Sequence, residues 1–225
     1  MKTITVKGTG NVSVKPDYVV LAMALETSNR DYETAMREAA ERIEQINKSL
    51  STVGFKKESV KTTDFSVRTD YESKKDRSGN YRRVFNGYVV HHHLKVSFDF
   101  DTKLLSKALG TIASCVAEPE LSISFTVKEP SAVNEALLKS AAENAKKKAE
   151  ILCAASGAKL GELVNIDYNW GELNIYSRTN YNMESDCFMA CAETNYSLDI
   201  EPDDIDATDT VTFVWEIVKI YSGNQ

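Results

Sequence analysis

At the start of the chain Ile4, Val6, Val12 and Val14 fall on alternate positions, the period of a strand with one buried face. Gly8 and Gly10 interrupt that alternation and predict a bend or bulge. After a turn at Pro16-Asp17, YVVLAMALET continues as a strand apolar enough for burial on both faces. The spacing then changes to three and four. Tyr32, Ala35, Met36, Ala39, Ile43, Ile46, Leu50 and Val53 predict a long helix, capped by Asp31 and stopped by Gly54. VKTTDFSVRTDY alternates again, with Phe65, Val67, Thr69 and Tyr71 together. ESKKDRSGNYRR makes a charged hairpin tip, and NGYVVHHHLKVSFDF returns as the partner strand.

The second half reuses these pieces. Asp101 caps a short helix with Leu105, Ala108, Leu109 and Ile112 inward, and LSISFTV is a strand with Leu121, Ile123, Phe125 and Val127 on one face. Pro130 opens a second long helix whose buried side is Val133, Leu137, Ala141, Ala145 and Leu152, closed by Gly157. LGELVNIDYNW and DATDTVTFVWEIVKIY are two further strands, the last with Val211, Phe213, Trp215 and Ile217 inward. Residues 170–199 show no period and predict a long irregular loop.

These elements define an α+β fold: largely antiparallel sheet packed against two long helices and one short one. The order of long helix, glycine stop and strand occurs at 31–71 and again at 130–170, which suggests an internal duplication. One domain is expected over residues 1–225, with sub-halves of about 1–100 and 101–225.

Charge narrows the partners. The chain of 225 residues carries 27 Lys and Arg against 33 Asp and Glu, a net −6, which disfavours nucleic acid and anionic membrane surfaces. No apolar run is long enough to span a bilayer. The opening MKTITVKGTG has no apolar leader, so as written the expected location is the cytoplasm, or the periplasm or cell envelope if a leader has been removed.

The three histidines are adjacent, at 91–93. Strand alternation puts His92 with Leu94, Val96 and Phe98, and sends His91 and His93 to the other face with Lys95 and Ser97. His91 and His93, about 7 Å apart along a strand, are therefore weak metal candidates that need ligands from elsewhere. Cys115 and Cys153 read as small buried hydrophobes. Cys187 and Cys191, in the unpatterned segment, are a candidate redox pair, although their spacing is not CxxC. GTGNVSV lacks the third glycine and following helix of a dinucleotide fingerprint, and there is no GxSxG, P-loop or HExxH. EPDDID lacks the ligand order of a calcium loop, and AKKKAE reads as a solvated helix face. No catalytic residue and no cofactor is assigned, and a binding or assembly protein is expected rather than an enzyme. The rival is a metal- or small-molecule-binding protein, with or without catalysis, using His91 and His93.

The order of segments resembles the SIMPL-domain family. The stretches that carry it are ITVKGTGNVSVKPDYVVLAMALET, NGYVVHHHLKVSFDFDTKLLSKAL, LSISFTVKEPSAVNEALLKSAAENAKKKAEILCAASGAKLGELVNID and IEPDDIDATDTVTFVWEI. The resemblance implies an α+β fold, no established catalytic residues and self-assembly into homo-oligomers. For bacterial members it also implies a link to envelope or oxidative stress. The chain departs from the family in lacking the usual leader and in its 170–197 segment with Cys187 and Cys191.

Overall fold

The computed structural model describes residues 2–75, 79–169, 171, 173–183 and 200–219. They form an α+β fold of two antiparallel sheets and three helices. The strands are β1 (Thr3–Val14), β2 (Tyr18–Asn29), β3 (Lys61–Lys75), β4 (Tyr81–Asp99), β5 (Glu120–Thr126), β6 (Ala158–Asp167), β7 (Tyr176–Met183) and β8 (Ile205–Lys219). The helices are α1 (Tyr32–Thr52), α2 (Thr102–Ala113) and α3 (Pro130–Ala155).

Two compact units interleave along the chain. One comprises residues 1–16, 126–178 and 203–225, the other 17–125 and 179–202. Neither is a contiguous half, as a division near residue 100 would make it, because β1 pairs with the distant β8.

The first unit holds the sheet β1-β8-β6 with α3 against it. Val6, Val211, Phe213 and Trp215 pack on Ala141, Ala145 and Ala149 of the helix. No bulge forms at Gly8 and Gly10: β1 pairs with β8 in unbroken register from Thr3↔Glu216 to Val14↔Ile205. The glycines serve close approach instead. A Cβ on Gly8 would stand 2.1 Å from the Ala141 carbonyl oxygen and 2.7 Å from the Ala145 Cβ, so only glycine lets α3 lie this near. Ala141, Ala145, Ala149 and Cys153 are all buried, at four-residue spacing along one ridge of α3. Leu152, expected inward, is 52% exposed because Cys153 takes the ridge position one step on. Ile217 is likewise only half-buried, where the end of β8 runs beyond the packed core.

The second unit is built on the sheet β3-β4-β2-β5-β7. Val19, Leu21, Met23 and Leu25 of β2 and Leu94, Val96 and Phe98 of β4 meet Ile46 and Leu50 of α1 and all four expected residues of α2. Both caps form as the sequence predicts: Asp31 accepts from the Thr34 N–H at 2.9 Å, and Asp101 from the Lys103 N–H at 2.8 Å. Gly54 (φ +100°) and Gly157 (φ +68°) follow the two long helices in the left-handed region. Burial of β2 on both faces is not found. Val19 to Leu25 alternate buried and half-buried, and Glu26 is exposed, because the helices cover only one side.

The segment expected to be irregular contains a strand, β7. Its inward positions include Ser177 and Thr179, so its period of two cannot be seen in hydrophobicity. Ser177 Oγ donates to the Asp203 carbonyl at 2.7 Å, which satisfies a polar group at a buried place.

Candidate functional site

β4 runs between β2 and β3, with His91, His92 and His93 opposite Glu26, Leu25 and Ala24 on one side and Ser66, Phe65 and Asp64 on the other. Alternation divides the histidines as the sequence predicts. His92 is 9% exposed on the helix-covered face. Its Nε2 lies 2.8 Å from Thr62 Oγ1, and its ring meets Phe65 edge-on at 5.1 Å. Its Nδ1 has no partner among the described residues. Burial, helped by the positive field of His93, holds its pKa below the usual histidine value. His92 is thus a neutral core residue.

His91 and His93 lie on the opposite face. There they line a cleft of about 280 Å³ with Glu26, Glu118, Glu120 and Arg42. His91 Nδ1 is 3.6 Å from a Glu26 carboxylate oxygen. A neighbouring cleft of about 350 Å³ runs over Ala22 and Ala24 to Ser122 and Asn182. The floor is low because β2 carries alanine at the centre of this face.

Glu26, Arg42 and the two β5-side glutamates are the residues that reading by motif missed. Arg42 sits at the margin of the apolar stripe of α1, one position before Ile43. Its guanidinium donates to the carbonyls of Glu26 and Ala117 and, at 3.2 Å, to Thr27 Oγ1. It ties α1 to β2 and to the turn before β5, and spends its donors on the protein itself. Glu118 has φ +43° in that same turn. Only the position of Arg42 beside the stripe was a signal available in the sequence.

Among the described residues no three His, Cys, Asp or Glu side chains converge closely enough to hold a metal ion. Glu26 comes to His91, and no third ligand joins them among the described residues. Cys115 and Cys153 are buried free thiols. Cys187 and Cys191 lie outside the described residues. No described helix is long and apolar enough to cross a membrane. The three lysines of AKKKAE are exposed, and Lys148 Nζ also donates to the Lys7 carbonyl at 3.2 Å.

Fold and cleft together define an α+β protein whose histidine strand is divided between core and surface. The chain belongs to the SIMPL family, described as "Protein of unknown function (DUF541)", whose pattern matches residues 4–215. It is also similar to the uncharacterized protein YggE of Escherichia coli K12, of Escherichia coli O157:H7 and of Shigella flexneri. Each is 26% identical over 74% of this chain. The match spans 65% of the length of each of those relatives.

Proposed function

We propose that this protein acts by contact with other protein chains, first of all by self-association, and not by catalysis. The observation that carries this reading is the strand β6. It ends the three-stranded sheet, and its Leu163, Val164 and Ile166 are 49%, 44% and 51% exposed. The opposite end of the sheet is closed differently. The Thr9 N–H donates to Asn144 Oδ1 at 3.1 Å and the Asn11 N–H to Ser140 Oγ at 3.3 Å, so α3 occupies the outer side of β1. An apolar edge strand is a template for a further strand.

The sequence of β6 suits a second copy of itself. Antiparallel pairing centred on Leu163 sets Lys159 opposite Asp167 and Leu160 opposite Ile166 in both directions. Leu163→Lys puts two like charges at the centre of such a pair, and Asp167→Lys puts them at its ends. Sedimentation of both variants beside the wild type tests the reading. Loss of assembly with an unchanged circular dichroism spectrum supports it, and a wild type that never assembles contradicts it.

A stress-response role, and a place in the cell envelope, rest on the family resemblance alone. The rival reading, a metal or small molecule held by His91 and His93, is supported by the cleft that Glu26, Glu118 and Glu120 complete on the same face.

A further inference from the structure

β4 outruns its neighbour. It pairs with β2 only from Tyr88 to Asp99, whereas its pairing with β3 continues to Lys75↔Tyr81. Tyr71–Lys75 and Tyr81–Phe85 therefore form a two-stranded arm beyond the body of the sheet. An isolated hairpin is marginal in water, yet this one exposes aromatic surface: Tyr71 is 42% exposed, Phe85 36% and Tyr81 70%.

Cross-strand register gathers one face. Tyr71 stands opposite Phe85, Ser73 opposite Arg83, and Lys75 opposite Tyr81. The Arg83 guanidinium lies 4.5 Å from the Tyr71 ring centre and the Lys75 ammonium 5.4 Å from that of Tyr81. The arm carries Lys74, Lys75, Arg82 and Arg83 against one acid, Glu72, in a chain whose net charge is −6. On the face with the rings stand Lys75 and Arg83, while Lys74 pairs with Arg82 on the other; flat rings and cations together suit an acidic protein surface.

The chain itself supplies the complement. Residues 201–206, EPDDID, place Glu201, Asp203, Asp204 and Asp206 outward while Ile205 is buried. Buried Ile205 fixes the segment, and the Ser13 hydroxyl donates to Asp206 Oδ1 at 2.7 Å, so the acids are presented from ordered backbone.

We infer that the β3–β4 arm docks onto the acidic segment 201–206 of a second copy. This inference rests on the self-association reading and adds a contact to it. Two different patches meet, so the contact is head-to-tail and either closes a ring or extends. Oppositely charged faces also steer the approach, and salt weakens it.

The experiment is a charge exchange. Lys75→Glu with Arg83→Glu makes one variant of the full chain, and Glu201→Lys with Asp204→Lys makes the other. Light scattering should give each variant alone a lower mass than the wild type, and an equimolar mixture should regain the larger mass. Circular dichroism checks that each is folded. An arm variant that keeps the wild-type mass overturns the inference alone, and so does a mixture that regains nothing. A wild type that stays monomeric at every concentration overturns the self-association reading as well.

Discussion

Gly10 lies against the backbone of Leu137: a Cβ at that position would stand 2.1 Å from the Leu137 carbonyl oxygen. β1 and α3 meet backbone to backbone there, and the same holds at Gly8 and Ala141. Gly10→Ala must push strand and helix apart, at a cost of about 1–3 kcal/mol for overpacking. Urea unfolding of the variant should show a lower midpoint, with the unfolding free energy reduced by that order. An unchanged midpoint would mean that α3 has room to move.

Arg42 holds α1 to the strand end through the carbonyls of Glu26 and Ala117. Arg42→Met keeps much of the apolar stem and removes the donors. Leaving those acceptors unpaired should cost about 1–3 kcal/mol, read as a lower thermal midpoint with the secondary structure retained.

His92 makes stability depend on pH. Its folded pKa is held below the ordinary value of 6.5 by burial, so the unfolded chain binds the proton more readily. The contribution is fully present above pH 6.5 and is lost as pH falls through the depressed folded value. Unfolding free energies measured from pH 7.5 to 5 should decline on the acid side. In His92→Leu, which lacks the titrating group, that part of the decline should vanish.

The clefts on the other face make a separate test. Protein purified without an affinity metal column should contain much less than one metal ion per chain by elemental analysis, and His91→Ala with His93→Ala should change nothing. Stoichiometric metal that disappears in the double variant would favour the rival reading.

Much of this structure was legible in hydrophobic period alone. α1, α2 and α3, the caps of α1 and α2, the glycine stops of α1 and α3, and the division of His92 from His91 and His93 all follow from residue choices and spacings that local geometry dictates. Three features were not legible. Gly8 and Gly10 look like a strand defect until α3, more than 120 residues later in the chain, is seen against them. β7 hides because its inward positions include the polar Ser177 and Thr179, and Ser177 is satisfied through a hydrogen bond rather than apolar contact. The cleft beside His91 draws Glu118 from the turn before β5 and Glu120 from the start of that strand, whose position is set by pairing across the sheet, and no linear motif records that.

Self-association is the central claim, and the absolute mass of the wild-type chain tests it most directly. Gel filtration with light scattering should be run over a hundredfold range of concentration at physiological salt. The account predicts a mass that is a multiple of 25.1 kDa and that falls toward one chain on dilution or at high salt. A constant mass of one chain across the whole range would contradict it.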